Sequence, residues 1–74
     1  MSKSEIQRAL GLAIRVRREA SDQSQEGFAD IIGMHRTYYS SIERGERNIT
    51  VAILARVARG LEVSMSTLLR EAGY

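Results

Sequence analysis

Seventy-four residues without a cysteine read as a single domain, residues 1–74, that must fold on its apolar core without a disulfide or thiolate metal site. An apolar content of 43% argues against general disorder. The absence of a leader-type apolar segment, or of any apolar run near about 18 residues, argues against secretion and membrane spanning, so a cytoplasmic location is expected. The formal net charge is only +2, yet the pI is about 9.5 and every basic residue except Lys3 is an arginine. Arginine suits planar, bidentate contacts with phosphates or guanine edges, although an arginine-rich solvated surface explains the composition equally well.

No segment shows sustained period-two alternation, and the pattern predicts an all-α chain of five helices. The first runs from about Ser4, a candidate N-cap, to Ala20. Ile6, Leu10, Ala13, Ile14 and Ala20 form its apolar stripe, and Arg17 lays its stem along that stripe. Gly11 weakens this helix by about 1 kcal/mol relative to alanine.

A second helix follows the N-cap Ser24 and is expected to bury Phe28, Ile31 and Ile32 before Gly33 ends it in a left-handed turn. The third starts near His35 and stops at Gly45. The fourth opens at Thr50 and carries Ile53, Leu54, Val57, Ala58 and Leu61 on one face. The fifth opens at Ser64 and presents Met65, Leu68 and Leu69.

The third helix is unusual in its outer face. At 100° per residue, Arg36, Thr37, Ser40, Ser41 and Arg44 share one stripe, with Ile42 opposite and Tyr38 and Tyr39 beside it. Short polar groups with arginine at each end suit a helix that enters the major groove of DNA. Arg36 can bridge guanine O6 and N7, Thr37 can meet a thymine methyl, and Ser40 and Ser41 permit close approach. Arg44, Arg47, Asn48 and Gln25 are candidates for backbone phosphate. Each residue alone reads more readily as a solvated surface; the spacing of a capped short helix, a glycine turn and a polar helix is what favours DNA over residues about 24–44.

The stretch Ser24-Gln25-Glu26, Phe28-Ala29, Gly33, Ile42-Glu43-Arg44-Gly45 and Arg47-Asn48, continued by Leu54, Ala58, Leu61, Val63-Ser64 and Leu68, resembles the lambda-repressor-like (Cro/cI, or XRE) helix-turn-helix family. The run Arg36-Thr37-Tyr38 followed by Ser41-Ile42-Glu43-Arg44-Gly45 is similar to the small controller proteins of restriction-modification systems. The resemblance implies a compact five-helix domain and a homodimeric regulator of transcription on a pseudo-palindromic operator. Its partners would be double-stranded DNA and RNA polymerase. It implies base contacts from Arg36, Thr37 and Ser41, with Tyr38 and Ser40 nearby, and phosphate contacts from Gln25, Arg47 and Asn48. It also implies a structural pair, Arg18 with Glu43.

The sequence departs from the family at Gln23, where leucine is usual, at Gly27, which removes the capping-box partner of Ser24, and at Ile49, where proline is common. His35 stands where Ser, Thr or Asp usually caps, and is expected to cap or touch phosphate rather than bind metal. With the chain ending soon after the fifth helix, dimerisation is assigned to Met65, Leu68, Leu69 and Tyr74, with at least one of the two leucines also expected in the core. Enzymatic activity is not expected, because no metal-binding motif, glycine-rich phosphate loop or nucleophile with a base is present. No cofactor is expected either. An antitoxin-type interaction module that represses its own operon is the alternative.

Overall fold

The computed structural model describes residues 3–74, with side chains from Glu5 onward. Five helices follow in order: α1 Lys3–Ala20, α2 Gln25–Ile31, α3 Arg36–Glu43, α4 Val51–Leu61 and α5 Met65–Glu71; the described residues contain no strand. α1 begins before Ser4, so Ser4 lies in its first turn instead of capping it. Its side chain lies outside the described set.

The other four helices are capped at their N-termini by side chains, which satisfies donors that a helix leaves orphaned in its first turn. Ser24 Oγ accepts from Gly27 N at 2.9 Å, Thr50 Oγ1 from Ile53 N at 3.1 Å, and Ser64 Oγ from Thr67 N at 3.0 Å. His35 caps α3, its Nδ1 accepting from Thr37 N at 3.2 Å. Gly27 therefore keeps the backbone half of the cap at Ser24, and only the reciprocal half is missing. Gly33 follows α2 with φ +66°, the left-handed turn its position calls for.

One apolar cluster draws on all five helices: Leu10 and Ile14 of α1, Phe28, Ala29 and Ile32 around α2, Tyr39 and Ile42 of α3, Leu54, Val57, Ala58 and Leu61 of α4, and Leu68 of α5. α1 is the spine, packed against α3, α4 and α5, while α2 packs on α3. The expected stripe of α1 holds in its middle. Ile6 at one end and Ala20 at the other are exposed, since the helix outruns the core it covers. The Arg17 head turns to Glu71, Nε to Oε1 at 2.9 Å, and ties α1 to α5.

Two further expectations are corrected. Ile31 is 63% exposed, because Phe28, Ala29 and Ile32 set the buried arc of α2 on the other side of Phe28. Leu68, assigned to the dimer interface, is fully buried beneath α5 in the core and has no surface to offer a partner. Of that group, Met65 and Tyr74 are exposed and Leu69 is half-buried against the core.

Candidate nucleic-acid interface

α3 is only eight residues long, too short to hold its shape without tertiary support. Its inner face supplies that support. Tyr39 is fully buried, with its ring 5.3 Å from that of Phe28 at 58°, and Ile42 is buried beside it. Together they fix the rotation of the helix about its axis.

A buried carboxylate fixes the rest. Glu43 accepts from Arg18 Nε at 2.7 Å and Nη2 at 3.0 Å, from Gln25 Nε2 at 2.9 Å, and from the Tyr39 hydroxyl. Three helices therefore meet on one side chain. Burial pushes the Glu43 carboxyl up, but the donors Arg18, Tyr39 and Gln25 outweigh it and hold the group below the usual carboxylate range. The same burial, with the neighbouring carboxylate, pushes the Tyr39 hydroxyl far above its ordinary value, so it remains a donor. Arg18 uses its remaining reach on the Gln23 carbonyl, Nη1 to O at 2.7 Å. The Gln23 side-chain oxygen is buried without a hydrogen-bond partner, a cost that a leucine there would not incur.

On the outer side, Arg36, Thr37, Ser40 and Arg44 line one shallow, open concavity. Arg36 and Thr37 are exposed, and Arg36 forms no ion pair among the described residues. Ser40 is half-buried and accepts from Arg44 Nη1 at 2.6 Å, while Arg44 Nε and Nη2 hold Glu46 at 3.1 and 3.0 Å. Arg44 is thus pre-engaged at the end of the stripe.

Ser41 departs from its expected place. It is 4% exposed, its hydroxyl donates to the Tyr38 carbonyl at 2.6 Å, and Arg47 Nε donates to it at 2.9 Å. Ser41 stands at the edge of the polar stripe, where the loop after α3 turns back and covers it. Its oxygen is committed inside the protein, so in this conformation it offers nothing to a base. Arg47 also stacks over the Tyr38 ring, 5.0 Å from its centre, so Tyr38, Ser41 and Arg47 form one clasp beside the readers. Asn48 and His35 are exposed, on the loop after α3 and at its N-cap. Gln25 is turned inward to Glu43 rather than outward. Sequence reasoning missed Tyr39 as an anchor, although its spacing of one turn before Glu43 was the available signal.

No group of three or more His, Cys, Asp or Glu among the described residues could hold a metal ion, and no described helix is long and apolar enough to cross a membrane.

The helix-turn-helix family model HTH_3 matches residues 14–68. Control protein C.MunI of a Mycoplasma species is 46% identical over 54 residues, 73% of each chain. Control protein C.SmaI of Serratia marcescens is 41% identical over 69 residues, 93% of this chain and 82% of that one. The restriction-modification controller protein C.Esp1396I, solved as a tetramer in complex with its natural 35 base-pair operator, superposes with a TM-score of 0.80 at 32% identity, over 93% of this chain and 96% of that one. With the family model matching most of this chain and relatives of this identity covered this fully, the chain belongs to the HTH_3 helix-turn-helix family.

Proposed function

We propose that this chain is a single-domain, sequence-specific regulator of transcription of the restriction-modification controller kind, binding double-stranded DNA as a homodimer on a pseudo-palindromic operator in the cytoplasm. The observation that carries this is the division of α3 into two faces. Tyr39, Ile42 and Glu43 anchor one, and the other leaves Arg36 and Thr37 exposed over a shallow concavity. The similarity to control proteins, one of them solved on its operator, favours this reading over the antitoxin-type module. No catalytic activity is assigned, in keeping with a family of regulators.

In this reading Arg36 and Thr37 read base edges, with Ser40 and Tyr38 close by. Arg44, Arg47, Asn48, His35 and the first turn of α2 at Gln25 hold the phosphate backbone. Gln25 serves phosphate through its backbone amide, since its side chain is committed to Glu43. One such helix reads only a few base pairs, so two are needed, with half-sites about one helical turn apart. The dimer contact falls to Met65, Leu69 and Tyr74.

Selection of bound sites from a pool of random duplexes tests the reading. A palindromic consensus is expected, and recovery of no preferred sequence would overturn it. On the selected duplex, Arg36→Ala is expected to cost about 1–3 kcal/mol and to relax discrimination at one position per half-site. Uniform weakening on every sequence would demote Arg36 to a phosphate contact. Sedimentation equilibrium at micromolar concentration is expected to show a dimer. A monomer that stays monomeric even on the operator would exclude the twofold arrangement.

A further inference from the structure

Arg8 has no part in the motif as read above, yet the fold carries it to the end of the reading helix. A side-chain carbon placed on Gly45 would lie 2.5 Å from Arg8 Cγ, 2.7 Å from its Cα and 2.9 Å from its backbone nitrogen. The turn that ends α3 therefore rests directly on the Arg8 backbone and stem. Gly11, one turn further along α1, lies as closely against the carbonyl oxygens of Ile42 and Glu43. The neighbouring Gln7 lines a small cavity with Arg47 and Asn48, so this part of α1 and the loop after α3 form one continuous surface. Arg8 itself is exposed and makes no ion pair among the described residues. The nearby acid on the loop, Glu46, is already held by Arg44.

We propose that Arg8 is a further DNA-binding residue, contacting a backbone phosphate of the strand that the Arg47–Asn48 loop lies along. This rests on the reading that α3 enters the major groove. An arginine whose stem packs against a turn, and whose head makes no ion pair among the described residues, gives up less freedom on meeting a phosphate than a wholly solvated one. The close contact with Gly45 fixes its distance from the reading helix, so it sets register without reading sequence.

The test compares wild type, Arg8→Gln and Arg8→Lys on the selected operator duplex and on an unrelated duplex, between 50 and 200 mM salt. Loss of one phosphate contact per subunit is expected to reduce the slope of log affinity against log salt by about 0.9 per subunit. For a dimer that makes the fall in affinity across this fourfold salt range about twelvefold smaller. Arg8→Gln should weaken both duplexes by similar factors, leave the base preference unchanged, and be largely rescued by Arg8→Lys. Wild type that binds with a slope unaltered by Arg8→Gln would overturn this proposal alone. So would a variant that loses thermal stability without a change of slope, since Arg8 would then only pack against the turn. Wild type that binds no duplex would overturn the DNA-binding reading with it.

Discussion

Glu43→Ala is expected to destabilise the free protein by about 3–5 kcal/mol, because it leaves Arg18 buried without its counter-charge and strands the donors of Gln25 and Tyr39. Small domains are stable by only about 5–15 kcal/mol in total, so this single change should consume much of the margin and lower Tm by roughly 15–30 °C. Thermal and urea unfolding of the two proteins would measure it. A loss under about 1 kcal/mol would mean that the link is exchangeable with water and does not organise α1, α2 and α3. The pH dependence has a fixed sign. The folded carboxyl sits below its ordinary value, so the unfolded chain takes up that proton first as pH falls. The stabilisation is therefore complete above the usual glutamate range, about 4.3, and fades as pH drops through the lower folded value. The stability gap between wild type and Glu43→Gln should narrow accordingly in acid.

Gly11→Ala is expected to be the second most damaging change, against the direction that helix propensity alone predicts. Alanine in a helix interior gains about 1 kcal/mol over glycine. Here its methyl group would lie 2.4 Å from the Ile42 carbonyl oxygen and 2.7 Å from that of Glu43, both backbone atoms that cannot rotate away. α1 and α3 would have to separate. Overpacking of this kind costs about 1–3 kcal/mol, sometimes more, and should exceed the propensity gain. The displacement acts on the helix that carries Arg36 and Thr37. Operator affinity should fall beyond what the lost folded fraction accounts for, and sequence preference should blur. Equal or greater stability of Gly11→Ala by urea unfolding would show that the interface has slack.

The glycine shows where reading along the chain stops. In sequence Gly11 is a local weakness in an otherwise good helix; its value comes from two carbonyls contributed more than thirty positions later. The residues of α3 divide in the same way. Periodicity identified the polar stripe and the opposite apolar side, because a helix maps sequence spacing onto angle. Arg36 and Thr37 lie exposed on that polar side, with Ser40 half-buried beside them. It misplaced Ser41 because burial there depends on Arg47 folding back from the loop, an event that no helical wheel contains. Gln25 was likewise read as facing outward, and a carboxylate eighteen residues away turns its side chain inward.

By itself the sequence determined the helices, the caps of α2 to α5 and the order of the motif, since propensity, capping and amphipathic period are local and act over four or fewer residues. It also determined that arginine would supply nearly all of the basic groups. Tertiary structure alone decided which polar groups are spent inside the protein: Glu43 and Ser41 are enclosed, half-buried Gln25 is turned onto Glu43, Leu68 belongs to the core rather than to a partner, and Ile31 is left outside. The physical reason is that burial and hydrogen bonding are settled by what arrives from other helices.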